Sequence, residues 1–108
     1  MSKPRRVQLS RSRCWRMPAN SVKVDRTTRW GNPFKIGSAA THPTTGRRVR
    51  IDSSVTSIAL YKAWLTTARG KKIAREARHA LKGRNVACWC RPGTPCHGDV
   101  LLRLVNDG

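Results

Sequence analysis

The chain has 108 residues, with 23 lysines and arginines against 5 aspartates and glutamates, so its formal net charge is +18. This length suits one domain with a modest core and is too short for two. So large a positive charge favours a polyanionic partner, usually nucleic acid, and the absence of a long apolar segment argues against a membrane partner.

Residues 1–17 are expected to form a flexible basic arm in front of a single α/β domain over residues 18–108. The arm contains several arginines and no acidic residue, and it has too few apolar residues to fold alone. It also lacks the apolar stretch of a signal peptide, so the protein is predicted to be cytoplasmic with reduced cysteines.

The rest of the chain alternates between strand-like and helix-like segments. The predicted elements are strands at 21–25 and 47–51, helices at 55–68 and 71–82, and a strand at 85–90 followed by a loop and a last helix. Gly70 is expected to separate the first two helices. This order predicts an α/β fold, a small Rossmann-like domain with a short, partly parallel sheet.

Basic side chains of the arm and of the second predicted helix are the candidates for phosphate contacts. They are Arg5, Arg6, Arg11, Arg13, Lys71, Lys72, Arg75, Arg78 and Lys82. Either DNA or RNA suits such a surface, because nothing resembles a recognition helix with polar residues for reading bases. An acidic host protein is an alternative partner for the same surface.

Three of the four cysteines lie with a histidine where the last predicted strand leads through a loop into the last predicted helix. A strand over 85–90 would point Cys88 and Cys90 to the same side of the sheet, with Cys96 and His97 at the start of the helix. Three cysteines and one histidine form a known zinc set, so these four residues are candidate zinc ligands. The single residue between Cys88 and Cys90 differs from the two-residue gap of common zinc motifs.

A metal-free reactive site is the alternative for this junction. A thiol at a helix N-terminus among many arginines is expected to have a lowered pKa and to act as a nucleophile. Cys96, His97 and Asp99, together with Asn32 from an earlier loop, are therefore candidate catalytic residues of a small enzyme acting on a nucleotide or nucleic acid. Whether the protein is an enzyme stays open at this point.

Two stretches give the chain its resemblance to a family of small bacterial and phage proteins known as a domain of unknown function. They are Trp-Gly-Asn-Pro-Phe at 30–34 and Cys-Trp-Cys … Cys-His-Gly-Asp at 88–99. The resemblance covers about residues 18–105, and it implies that the two motifs converge on one site. Two aromatic residues in a Pro/Gly loop must also be packed, so the 30–34 loop is expected to lie over the 88–99 junction.

The function expected from the sequence is that of a small phage- or bacterial-type nucleic-acid-associated protein with a strongly basic surface. The Cys/His loop site has no chemistry assigned by the resemblance. A small enzyme and a phage protein that docks on an acidic host protein are the two alternatives.

Overall fold

A computed structural model describes residues 4–91 and 93–106 of the chain. Its elements in chain order are β1 (Arg6–Gln8), β2 (Ser21–Lys23), β3 (Ala39–Thr41), β4 (Arg48–Arg50), α1 (Ser54–Trp64), α2 (Ala68–Ala80), β5 (Asn85–Cys88) and α3 (His97–Asn106). The predicted α/β class is confirmed, because helices pack with a short parallel sheet.

The centre of the sheet is β5, the last strand in the sequence. It pairs in parallel with β1 on one side and β2 on the other, in the order β1-β5-β2. Val86, Ala87 and Cys88 are buried, as expected for a central parallel strand covered on both faces. Val86 and Cys88 face the main core, whereas Ala87 faces a smaller cluster.

The prediction of a flexible arm over residues 1–17 is wrong for its central part, which forms β1. Val7 and Leu9 are buried against Ala87, and Trp15 packs on the same cluster. The Leu9 amide donates to the Cys88 carbonyl, so the ladder continues beyond β1. These contacts join residues about 80 positions apart, and local composition carries no signal for such pairing.

Helix α1 begins at the predicted place but ends earlier than expected, and α2 begins earlier. Ser53 caps α1 by accepting from the Thr56 amide, and Thr67 caps α2 by accepting from the Gly70 amide. Gly70 therefore lies inside α2 and does not separate the helices. A Cβ atom at Gly70 would lie 2.0 Å from the Trp64 carbonyl oxygen, so glycine permits the close contact between the two helices.

The main core lies among the three helices, one side of the sheet and the 30–34 loop. Tyr61, Leu81 and Leu101 contribute large buried side chains from α1, the end of α2 and α3. Trp30 and Phe34 are part of this core, which confirms that their loop is packed. The second predicted strand is β4, whose arginines are exposed and which pairs antiparallel with β3. Within the described residues, none of the helices has the length and apolar character needed to cross a bilayer.

Candidate functional site

Three thiols meet at the carboxyl end of the central strand. Cys88 ends β5, Cys90 follows two residues later, and Cys96 immediately precedes α3. Their sulfur atoms all lie within 4.8 Å of one another, and the Cys88 and Cys96 sulfurs are 3.2 Å apart. Cys88 and Cys96 are buried and Cys90 is half-buried. We call these three residues the thiol cluster.

His97 lies beside the thiol cluster with one ring nitrogen already engaged. Its Nε2 is 2.6 Å from the Val24 carbonyl oxygen, which can only accept, so Nε2 carries the proton. Nδ1 then presents a lone pair, 3.8 Å from the Cys96 sulfur. The Tyr61 ring packs edge-on against the imidazole, with ring centroids 5.7 Å apart. The imidazole is therefore fixed in one orientation.

The three thiols of the cluster differ in the direction in which their pKa values are shifted. The hydrogen bond with Cys96 lowers the pKa of the Cys88 thiol, whereas that bond and burial raise the pKa of Cys96 to about 11. Burial also raises the pKa of Cys90. The lowered pKa expected for Cys96 at the helix N-terminus is thus wrong, because the contact with Cys88 and burial both raise it. Cys88, a predicted zinc ligand, belongs to the cluster.

Arg6 supports the loop that carries Cys96, a role that the sequence did not reveal. Its guanidinium donates to the carbonyl oxygens of Thr94 and Arg91, each at 2.8 Å, and pairs with the Asp99 carboxylate at 2.9 Å. The Arg6 side chain is only 10% exposed, so it is poorly placed for the predicted phosphate contact.

Asp99, another member of the predicted catalytic set, lies apart from the His97 side chain. Its side chain is 58% exposed and pairs with Arg6, and it does not line the cavity that contains His97. The predicted catalytic set of Cys96, His97 and Asp99 is therefore not assembled around one point.

Asn32 holds the 30–34 loop in place. Its Nδ2 donates to the Ser57 hydroxyl at 2.9 Å, and its Oδ1 accepts from the Phe34 amide at 2.8 Å. Asn32 is buried, and both ends of its amide are engaged inside the protein. These bonds give Asn32 a positioning role, and its part in catalysis stays a prediction. Gly31 matters for the same loop, because a Cβ atom there would lie 2.6 Å from the Asp25 carbonyl oxygen.

The two sequence motifs line one cavity of about 300 Å³, which we call the thiol cavity. Its wall includes Asn32 from the first motif and the thiol cluster with Trp89 and His97 from the second. Apolar and polar side chains complete it: Ile36, Ile58, Pro95, Asp25, Arg26, Thr27, Ser54 and Ser57. The convergence implied by the resemblance is therefore present in the structure.

Trp89 is oriented by contacts on two sides. Its Nε1 donates to the buried Asp25 carboxylate at 3.0 Å, and the Arg11 guanidinium lies 4.9 Å from its ring centroid. Burial by itself raises the pKa of Asp25, but hydrogen bonds from Thr27 and Trp89 outweigh it and hold that pKa below its usual value. The indole is 43% exposed at the wall of the thiol cavity.

A larger groove of about 840 Å³, which we call the basic groove, runs among the three helices. Five cationic side chains line it: Lys62, Lys71, Arg75, Arg78 and Arg103. Asp99 is the one acidic residue among the described lining residues. Ile58, Pro95 and Cys96 border both the basic groove and the thiol cavity, so the two spaces adjoin.

Comparison with known proteins identifies the family. The family model described as Domain of unknown function (DUF4326) matches residues 7–107. The chain belongs to this family. Neither the curated proteins nor the solved structures contain a match to the chain. The DUF4326 match begins inside β1, so the family domain extends further toward the N-terminus than the resemblance over residues 18–105 indicated.

The predicted phosphate-contact residues of this DUF4326 protein are divided by the fold. Lys71, Arg75 and Arg78 line the basic groove, and the exposed Lys72 and Lys82 do not. Arg5, Arg11 and Arg13 are exposed on the N-terminal segment. Lys62 and Arg103 were missed, because only helix packing brings α1 and α2 beside α3.

The donor set of this DUF4326 protein fits a thiophilic metal ion. Three thiol sulfurs lie close together and can hold a metal ion. Closely spaced thiolates are the ligands that zinc prefers in structural sites, and they are unsuited to magnesium or calcium. A metal there would join the end of β5 to the residue preceding α3.

Proposed function

We propose that this protein is a nucleic-acid-associated protein that binds phosphates through its basic surface, chiefly in the basic groove. The observation that carries the proposal is the lining of the groove, with five cations and one carboxylate. Cationic side chains on neighbouring helices can contact successive phosphates, and the release of condensed counterions then drives binding.

The scarcity of internal ion pairs supports this proposal. Among the described residues, carboxylates pair with just three basic side chains, those of Arg6, Lys23 and Arg29. The chain has 23 lysines and arginines, so most of its positive charge is not neutralised within the protein. A polyanion would neutralise it, and none of the five cations of the basic groove is among the three in ion pairs.

A matched pair of double variants tests the proposal. Arg75→Gln with Arg78→Gln removes two charges from the basic groove, and Arg48→Gln with Arg50→Gln removes two exposed charges from β4. Affinity for single-stranded DNA and RNA is measured across a series of salt concentrations. The groove variant should bind less tightly and lower the slope of log affinity against log salt by about 1.4, whereas the β4 variant should change both much less.

Two results would contradict this proposal. Equal losses in the two double variants would mean that charge acts diffusely and that the basic groove has no special part. Binding to an acidic polypeptide but to neither nucleic acid would instead favour the acidic protein partner.

The contribution of the N-terminal segment requires point substitutions. Deleting residues 1–16 would remove β1 and expose the face of β5 that Val7 covers, so lost binding would reflect misfolding. Arg11→Gln with Arg13→Gln leaves the strand intact. If these exposed arginines also contact phosphates, this variant should lower the salt slope further in combination with the groove variant.

We also propose that the thiol cluster holds zinc, with His97 Nδ1 as the fourth ligand. The support is the closeness of the three sulfurs, together with a histidine whose other nitrogen donates to the Val24 carbonyl. A backbone carbonyl in that position fixes the tautomer and orientation of many metal-binding histidines. The metal would act structurally, by fastening the start of α3 to the end of β5.

Metal analysis of protein purified with a reductant and without a chelator tests the zinc proposal. About one zinc per chain is expected, and Cys96→Ser or a chelator should lower the thermal midpoint by a similar amount. Cys14→Ser is the matched control, because Cys14 is exposed and outside the thiol cluster. Metal-free protein that is as stable as protein incubated with zinc would overturn the proposal.

The free state of all four cysteines supports a reducing compartment, and we therefore propose a cytoplasmic location.

The alternative of an enzyme using Cys96, His97 and Asp99 gains no support from the geometry, because Arg6 holds the Asp99 carboxylate outside the thiol cavity.

A further inference from the structure

We infer that the basic groove and the thiol cavity form one continuous site for single-stranded nucleic acid. The phosphate backbone lies in the basic groove, and one unstacked base enters the thiol cavity. This inference rests on the proposed function, and it adds the strandedness of the ligand and the place of the base.

The continuity of the two spaces is the first argument. Ile58, Pro95 and Cys96 line both, so no other element separates them. Their chemistry differs across this border. The basic groove carries five cations and one carboxylate, whereas the thiol cavity has the apolar side chains of Ile36, Ile58, Trp89 and Pro95 beside one cation and one carboxylate, Arg26 and Asp25. A nucleotide has the same division, with a charged phosphate on one side and a flat, largely apolar ring on the other.

The second argument is the suitability of the thiol cavity for a base. Its volume of about 300 Å³ is at the lower end of the usual range for small-molecule pockets, which admits a planar ring. Trp89 is partly exposed in its wall, and the hydrogen bond to Asp25 fixes its indole before any ligand arrives. Single-strand binding proteins use such aromatic faces as stacking platforms.

Base pairing determines which nucleic acid can use this site. A base within a duplex is stacked and paired, so reaching the thiol cavity would require unpairing and unstacking that base. In an unpaired strand no base pair has to be opened. A duplex is left with the phosphate contacts of the basic groove alone, and it should bind less tightly at equal salt.

Three probes of one length test the inference: a single-stranded oligonucleotide, its duplex, and a single strand that lacks the bases. The intact protein should bind the base-bearing strand about tenfold more tightly than the baseless strand, the effect of one stacked base. Trp89→Leu removes the aromatic face, and Ile58→Trp fills the border between the two spaces. Each should bring the two affinities together while leaving the salt slope unchanged.

Matched controls separate the effect on the site from the effect of the mutation itself. Trp15→Leu removes a tryptophan that packs against Val7 and Leu9, away from both spaces, and Val55→Trp adds one on the exposed side of α1. Both controls should keep the tenfold preference. If Trp89→Leu fails to fold, Ile58→Trp still tests the cavity.

The outcomes distinguish this inference from the proposed function. Equal affinity of the intact protein for base-bearing and baseless strands, with a normal salt slope, would overturn the inference and leave phosphate binding in place. A preference that survives both cavity variants would also overturn it. The absence of salt-dependent binding to every probe would remove the proposed function itself.

Discussion

Replacing Arg6 tests whether the loop before α3 is held from β1. Arg6→Met keeps most of the aliphatic length of the side chain and removes its guanidinium. The substitution deletes the two hydrogen bonds to the Arg91 and Thr94 carbonyls and the ion pair with Asp99. It changes none of the three thiol side chains.

The expected loss follows from these contacts. A hydrogen bond from a charged donor contributes about 1.5–3 kcal/mol, and the carbonyls here lie near the surface, so the lower value applies to each. The half-exposed ion pair with Asp99 contributes at most about 1 kcal/mol. Arg6→Met should therefore lower the free energy of unfolding by about 3–4 kcal/mol.

Urea unfolding followed by far-UV circular dichroism measures this loss. Arg5→Met is the matched control, because it removes the same charge one residue earlier from an exposed side chain. It should change stability by less than about 0.5 kcal/mol. Zinc affinity should also fall in Arg6→Met although no ligand is altered, since the loop that carries Cys96 loses its support. Equal stability of the two variants would refute this account of the loop.

Three further predictions concern the supports of the site. Gly70→Ala should destabilise the fold by about 3 kcal/mol in urea unfolding, because a Cβ atom would press on the Trp64 carbonyl oxygen, while Arg69→Ala in the same turn should have little effect. Asn32→Ala should lower stability by about 2 kcal/mol, since the buried Phe34 amide loses its acceptor, and unchanged stability would restore a direct ligand role for Asn32. The pKa of Asp25 is lower in the folded protein than its usual value of 3.8. The ionised carboxylate therefore stabilises the fold above that pH, and this stabilisation is lost as the pH falls further. Asp25→Asn should therefore flatten the decline in stability below about pH 4, and an unchanged acid profile would contradict the assignment.

The parts of the fold that local sequence encodes were predicted well. The alternating segment at 21–25 contains β2, and the apolar segment at 85–90 contains β5. The cysteine–histidine start of α3 was also identified, because helical periodicity depends on neighbouring residues. The meeting of the three cysteines followed from strand alternation and a short loop.

The features that were missed depend on contacts between distant residues. The composition around β1 is that of a solvated arm, and its partner strand lies about 80 residues further along. A glycine such as Gly70 usually indicates a helix break in a sequence. Here its lack of a side chain allows the close contact between α2 and the end of α1. Asn32 has the polarity of a ligand-binding residue, but Ser57 and Phe34 satisfy its amide. No single-sequence pattern distinguishes these roles.

The Cys-His-Gly-Asp motif is best understood as the point where α3 is fastened to every strand of the sheet. Cys96 contacts Cys88 at the end of β5, His97 donates to the carbonyl that follows β2, and Asp99 pairs with Arg6 of β1. The Asp99 carboxylate and one nitrogen of His97 are therefore already paired within the protein. The capacity that remains is on the three thiols and on His97 Nδ1, which lies 3.8 Å from the Cys96 sulfur. The same motif therefore stabilises the fold and leaves a donor set suited to a metal. The Asp99 carboxylate, which acid–base catalysis would need, is already paired with Arg6 of β1.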